Sequence, residues 1–163
     1  MSDKTIVIIR GLTGSGKTDL ANLIVSDQED RIMISVDDYF TQEDGSYLFK
    51  PESLKDAHAW CLSEVKSAFE EGWGVVVVHN VFSRKWEVDP YINAARSSGY
   101  RIHVVNLYDR GLNDSQLARF NDHDIHPGTI QRQRKRWDKD VYRERSAPSP
   151  YPRQPRMYRD YRY

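Results

Sequence analysis

An α/β fold, with a parallel sheet covered by helices on both faces, is the class this sequence predicts. Three observations carry it. Short apolar runs alternate along the chain with segments of helical periodicity, the pattern of successive βα units. The first apolar run, Ile6-Val7-Ile8-Ile9, ends in a glycine-rich turn that passes directly into a helix. The most apolar run, Val75 to Val78, is strand-sized and far short of a membrane span, which predicts a central strand.

The elements follow in order. Strand one covers Thr5 to Ile9, and helix one runs from Lys17 to Val25 with Leu20, Leu23 and Ile24 apolar. Strand two is Ile32 to Val36, expected beside strand one. A polar connection, Thr41 to Lys50, leads to Pro51, a favourable first residue for a helix. Helix two then extends to Glu71, with Leu54, His58, Cys61, Val65 and Ala68 on one face and Gly72 as its stop. On this spacing His58 packs against the sheet. Strand three is Val75 to His79, helix three Trp86 to Ser97 with Gly99 after it, and strand four Arg101 to Leu107. Helix four covers Asp114 to Asn121, and helix five starts after Pro127 and continues to Arg143. The tryptophans Trp60, Trp73, Trp86 and Trp137 are scattered and read as core or interface residues.

One domain over residues 1–145 accounts for all of these elements, and 163 residues suffice to bury a core. The last segment, 146–163, holds four prolines, four arginines and four tyrosines, a composition that suits neither helix nor central strand. It reads as an extended basic tail. Charge divides along the chain: residues 1–131 carry 13 Lys and Arg against 20 Asp and Glu, and residues 132–163 carry 11 against 4. A basic end on an acidic body is suited to an anionic partner. Cys61 is the single cysteine, so no internal disulfide or cysteine metal cluster can form, and it reads as a small core residue. No apolar run reaches membrane length, and Met1-Ser2-Asp3-Lys4 leads straight into strand one. No leader peptide and no membrane contact are therefore expected, and a cytoplasmic, reducing setting is.

Gly11 to Thr18 read Gly-Leu-Thr-Gly-Ser-Gly-Lys-Thr, a complete phosphate-binding loop between a strand and a helix. Backbone N–H groups from Thr13, Gly14, Ser15 and Gly16, with the positive end of helix one, suit the phosphates of ATP. Lys17 can reach the β- and γ-phosphates, and the Thr18 hydroxyl can hold Mg²⁺. Asp37 and Asp38 follow strand two, at the sheet edge where open α/β folds bind ligands. A carboxylate there can orient an acceptor hydroxyl and take its proton, while Asp38 can instead cap the turn.

The order Arg10-Gly-Leu-Thr-Gly-Ser-Gly-Lys-Thr, Ser35-Val-Asp-Asp-Tyr-Phe, Gly45-Ser-Tyr-Leu-Phe, Ala57-His-Ala-Trp and Leu117-Ala-Arg-Phe-Asn resembles one clade of P-loop kinases. That clade holds the 5′-kinase domain of phage polynucleotide kinase and small single-domain ATP-binding relatives in phages and animals. The likeness runs from about Thr5 to Tyr142. It implies an adenylate-kinase-like three-layer P-loop NTPase fold, ATP with Mg²⁺, and phosphoryl transfer to a hydroxyl. By position it makes Lys17 and Thr18 the phosphate and metal residues and Asp37 the general base. The segment around Arg119 becomes a lid that supplies arginine to the transferring phosphate.

Three positions depart from the family's pattern. His79-Asn80-Val81 stands where the clade has a carboxylate, Phe120 replaces a second lid arginine, and Phe40 replaces an arginine that reads the acceptor phosphate. Arg132 or Arg136 could join Arg119. His79 reads as a hydrogen-bonded histidine at a strand end, and His123 and His126, among Asp122 and Asp124, as part of a solvated lid loop rather than a metal site. In the tail, Arg153, Arg156, Arg159 and Arg162 interleave with Tyr151, Tyr158, Tyr161 and Tyr163, a pattern that suits single-stranded nucleic acid or a docking protein. The residues thus support two readings. One is an ATP-dependent kinase for the hydroxyl of a nucleoside, nucleotide or polynucleotide end, served by Lys17, Asp37 and Arg119. The other is a nucleotide-binding protein of little or no activity that holds nucleic acid or a protein through its basic end.

Overall fold

The computed structural model describes residues 3–121 and 125–143. The tail of 146–163 and the lid residues Asp122, His123 and Asp124 lie outside the described residues. Four parallel strands form one sheet: β1 (Thr5–Gly11), β2 (Arg31–Ile34), β3 (Val75–Asn80) and β4 (Arg101–Tyr108). Their spatial order is β2-β3-β1-β4. Strand β3 therefore lies between β2 and the P-loop strand, which corrects the expectation that β2 borders β1. The reason is burial. Val76, Val77 and Val78 are wholly inaccessible, whereas Arg31, Ile32 and Met33 are only partly covered and suit an edge.

Alternation along β1 assigns the two faces. Ile6 and Ile8 point to a core shared with α3 (Leu54–Glu71) and α4 (Lys85–Ser97), through Ala57, Cys61, Val65, Val88, Ile92 and Ala95. Ile9 points to the opposite face, where Ala21 on α1 (Lys17–Val25) meets it with Val77. The result is the expected three layers. Helix α3 follows a short 3₁₀ turn over Pro51–Ser53 and ends at Gly72 in the left-handed conformation, as read from the sequence. Its core face is Ala57, Cys61, Val65 and Ala68, so His58 lies one residue round the helix and is exposed rather than packed on the sheet. Trp60, Trp73 and Trp137 are partly buried against core clusters, while Trp86 is exposed.

Two short helices, α5 (Asp114–Arg119) and α6 (Pro127–Lys135), cover the loop after β1. Leu12 from that loop packs with Leu117 and Ile130 from these helices. Helix α6 stops eight residues short of the expected Arg143 because the chain turns there to dock on the strand ends. Trp137 sits on Arg10, and Asp138 donates its N–H to the Ser83 carbonyl at 2.7 Å while its carboxylate accepts from the Lys85 N–H at 2.8 Å. Arg10 is fully buried and stands under the P-loop. Its Nε donates to the Phe82 carbonyl at 3.0 Å and its Nη2 to the Ser83 carbonyl at 3.4 Å. The guanidinium carbon lies 3.9 Å from the Trp137 ring centroid. Burial lowers the Arg10 pKa to about 10, against the opposing pull of Asp138 and Glu87.

The Arg10–Trp137 contact should therefore be measurable. In a double-mutant cycle of Arg10→Met and Trp137→Leu, followed by urea unfolding, a coupling of about 1–2 kcal/mol is expected for a desolvated cation on a ring. Strictly additive losses would show that the ring merely fills space.

Candidate functional site

The P-loop is held from three sides. The Leu12 N–H donates to the Tyr108 carbonyl at 2.9 Å and the Gly11 N–H to the Val81 carbonyl at 3.3 Å, which ties the loop to β4 and to the end of β3. Gln133 on α6 clamps Thr13, accepting from its N–H at 3.1 Å and donating to its hydroxyl at 2.9 Å. The Ser15 N–H donates to the Leu12 carbonyl at 3.0 Å, so the Thr13 and Ser15 N–H groups, expected to serve phosphate, are engaged within the protein. Gly14 has φ +82°, and a Cβ there would stand 1.9 Å from the Leu117 carbonyl, so α5 can lie on the loop only over a glycine. Gly16, at φ +92°, opens α1 without a side-chain cap. The first N–H groups of α1 therefore face the loop with no intrahelical partner. Lys17 Nζ donates to the carbonyls of Gly11 at 2.9 Å and Leu12 at 3.0 Å. Ser15 Oγ is buried and has no partner among the described residues. Uncapped helix end, glycine cradle and ammonium together fit a polyphosphate.

Asp37 and Asp38 open the short helix α2 (Asp37–Phe40) beyond the end of β2. Asp38 takes the capping role, its Oδ2 accepting from the Ser35 N–H at 2.8 Å, and burial raises its pKa despite that bond. Asp37 is exposed, and its Oδ1 accepts from the Tyr47 hydroxyl at 3.0 Å. Its charge acts on both Lys17 and His79, so it faces the P-loop across β3. The link that holds α2 there is Asn80. Its Oδ1 accepts from the Val36 N–H at 2.8 Å, and its Nδ2 donates to the Cys61 thiol at 3.7 Å. Cys61 is a core residue, as expected.

His79 neighbours Ile9 in the sheet and is 6% exposed. It was expected to be hydrogen-bonded, yet its imidazole makes no hydrogen bond among the described residues. Burial, reinforced by the Lys17 charge, lowers its pKa to about 4, so it is neutral at pH 7. Thr18 is exposed on the first turn of α1. Among the described residues no cluster of three His, Cys, Asp or Glu could hold a metal. A Mg²⁺ would therefore rest on the Thr18 hydroxyl and on phosphate oxygens, a donor set that the ion accepts.

Arg119 ends α5 and is exposed, with Phe120 65% exposed beside it. The two candidate helpers differ. Arg132 donates to the Thr129 hydroxyl at 3.0 Å, and Arg136 pairs with Glu87 at 3.7 Å. Two arginines that sequence reasoning missed also make defined contacts. Arg134 is spent on structure, bonded to Asp109, Asp114 and the Leu112 carbonyl. Arg110 donates to the Ser15 carbonyl at 3.4 Å, and its Nη1 would stand 2.9 Å from a Cβ on Gly16. Tyr108 and Arg110 have φ +48° and +51°, strain of the kind that gathers at functional sites. No spacing in the sequence marks Arg110; Asn80 and Tyr47 lay inside motifs already noted, without a role.

The sequence of residues 6–137 matches the family model described as AAA domain. This chain belongs to the AAA-domain family. Over 97 residues, 60% of its length, the AAA chain is 34% identical to human NEDD4-binding protein 2, of which it spans only 5%. In fold it is similar to a chain of the Pnkp1/Rnl/Hen1 RNA repair complex (TM-score 0.64, 14% identity, covering 83% of this chain and 44% of that one). It is likewise similar to a gluconokinase from Sinorhizobium meliloti 1021 (TM-score 0.55, 16% identity, covering 84% and 76%). The likeness to P-loop kinases seen in the sequence is borne out in the fold, which these solved structures share. No helix among the described residues is long and apolar enough to cross a membrane.

The neutral, buried His79 makes the domain acid-sensitive. The unfolded chain protonates near pH 6.5 and the folded one only near 4, so stability holds above 6.5 and falls as the pH drops through that window. The loss should approach about 3 kcal/mol at pH 4. Urea unfolding of His79→Asn between pH 7 and pH 4 should lack this component. An unchanged pH dependence would show that His79 titrates normally.

Proposed function

We propose that this AAA domain is an ATP-dependent kinase that phosphorylates a hydroxyl of a nucleoside, nucleotide or polynucleotide end. The observation that carries the proposal is Asp37. It is a carboxylate at the carboxyl edge of the sheet, within electrostatic reach of the P-loop lysine and held there by Asn80 through the Val36 N–H. In this reading the acceptor oxygen forms a bond to the γ-phosphorus as the bond to the β,γ-bridging oxygen breaks. Asp37 takes the hydroxyl proton and ADP leaves. Lys17, released from the carbonyls of Gly11 and Leu12, pairs with the β- and γ-phosphate oxygens. The N–H groups of Gly14, Gly16, Lys17 and Thr18 hold the chain of phosphates. Arg119, two residues beyond the carbonyl that rests on Gly14, adds a cation to the transferring group. Mg²⁺, held by Thr18 and the nucleotide, would offset the negative charge between donor and acceptor.

A second reading, nucleotide binding with little or no transfer, is favoured by two observations. The lid presents the exposed Phe120 beside Arg119, and the strand-three position carries a neutral imidazole. Binding to nucleic acid or a protein through the basic end would then be the function. The name of the human relative and the RNA repair complex are compatible with either partner.

Lys17→Ala should abolish ATP binding in a folded protein, read by calorimetry; unchanged affinity removes the P-loop from the function. Asp37→Asn should keep ATP affinity but lower transfer from γ-labelled ATP by about 10²- to 10⁴-fold. Equal rates in mutant and parent would take Asp37 out of the mechanism. Burial lowers Lys17 to about 8, so ATP affinity should fall as the pH rises past 8 and Lys17 loses its proton, by up to about tenfold per pH unit. Phe120→Arg should raise turnover in a working kinase, whereas no transfer to any acceptor before and after the change would establish the binding-only reading.

A further inference from the structure

Seven large hydrophobic side chains are exposed among the described residues, and four of them, Tyr39, Leu48, Phe49 and Leu54, fall between positions 39 and 54. The rings of this segment form one aromatic surface. Phe40, only 3% exposed, is its centre and meets Tyr39 at 5.3 Å, Phe49 at 5.1 Å and Tyr47 at 6.2 Å between centroids. Tyr47 and Phe49 lie nearly parallel, with 9° between their planes. Tyr39 leans on Trp60 at 5.8 Å. A turn joined by the Thr41–Tyr47 bridge carries Tyr47 and Phe49 back toward α2. There the Tyr47 hydroxyl donates to Asp37 Oδ1, so the aromatic surface is coupled directly to the carboxylate assigned as base.

Charge narrows what such a surface can accept. From Asp37 to Asp56 the chain carries six carboxylates and two lysines, Lys50 and Lys55, and all eight of these residues are exposed. Phe40, one residue beyond Tyr39, is buried and offers no cation. A strand of phosphates laid here would meet net negative charge at close range, the reverse of the basic grooves that hold nucleic acid. A planar uncharged ring meets exposed π-faces and no such repulsion.

We propose that this surface is the acceptor subsite and takes an uncharged alcohol bearing a planar ring, of the nucleoside class, rather than the phosphate-bearing end of a nucleic acid. The proposal rests on the reading of Asp37 as the acceptor's base. The ring lies on Phe49 and Tyr39, and a hydroxyl of the attached sugar reaches Asp37. Tyr47 links the two, holding the carboxylate in line with the aromatic face.

The test separates binding from transfer. With ADP saturating the P-loop of the full chain, calorimetry measures the binding of uridine, ribose and a short 5′-hydroxyl single-stranded oligonucleotide. Uridine should bind at least about tenfold more tightly than the other two. Phe49→Ala should weaken uridine about tenfold or more, as expected for a lost stacking partner, and leave ADP affinity unchanged, which also reports an intact fold. Phe49→Leu, which keeps bulk without a ring, should behave like Phe49→Ala. Tighter binding of the oligonucleotide, no binding of uridine, or uridine affinity indifferent to both substitutions would overturn the subsite. Transfer from γ-labelled ATP to the same three compounds is read in parallel. Uridine that binds through Phe49 but is never phosphorylated supports the subsite and refutes the kinase. Phosphorylation of the oligonucleotide alone supports the kinase and refutes the subsite.

Discussion

The backbone of residues 11–16 is the constraint on which the rest of this molecule depends. It must leave a buried strand, turn sharply enough to leave the N–H groups of Gly14 and Gly16 without a partner among the described residues, and start a helix without a capping side chain. Gly14 and Gly16, at φ +82° and +92°, make that path accessible. At Gly14 the same path leaves no room for a side chain, so α5 can lie directly against it. Gln133 seals the contact by satisfying both polar groups of Thr13. The loop is thus also the surface against which α5 and α6 pack.

Beneath the loop the structure accepts a buried cation. Arg10 sits where β1 ends, and its charge is met by the carbonyls of Phe82 and Ser83, by the face of Trp137 and by the more distant Asp138 and Glu87. Phe82 and Ser83 lie in the loop after β3, Trp137 and Asp138 in the segment after α6 and Glu87 on α4, so one guanidinium ties β1 to all of these stretches at the carboxyl edge of the sheet. Its Nη1 has no partner among the described residues. An arrangement that leaves a buried donor unmet costs stability, and it persists where the surrounding contacts over-determine it. Above the loop the charges are arranged differently. Lys17, His79 and Asp37 lie near enough for their charges to interact, and the balance leaves a depressed ammonium and a neutral imidazole.

Much of the fold was legible because its elements are built locally. The strand–glycine–helix succession over Thr5 to Val25, the helix stop at Gly72 and the valine run of β3 each follow from propensity and periodicity in a short window. The candidate site was legible to the extent that it lies in contiguous motifs: the P-loop and the Asp37-Asp38 pair could be read directly. Asn80, Gln133 and Arg110 could not, because each works through a residue far away in sequence. Asn80 acts on Val36, Gln133 on Thr13 and Arg110 on Ser15. An asparagine, a glutamine or an arginine has no pattern that reveals such a partner.

The sequence by itself determined the class of the fold, the phosphate-binding loop and the apolar faces of the long helices, since these rest on backbone conformation and on burial that repeats at fixed spacing. Only the tertiary structure decided which strand borders the P-loop, because the order depends on which strand can lose solvent on both faces, and β3 does so better than β2. It also decided that α6 stops at Lys135, where the chain turns and brings Trp137 over Arg10. The neutrality of His79 was decided there too, because it follows from burial and then from the Lys17 charge at the end of a neighbouring strand, against the opposing pull of Asp37. The aromatic surface beside Asp37 belongs to the same class. Tyr39, Phe49 and Trp60 are ordinary residues in the sequence and become one surface when Phe40 buries itself between α2 and α3.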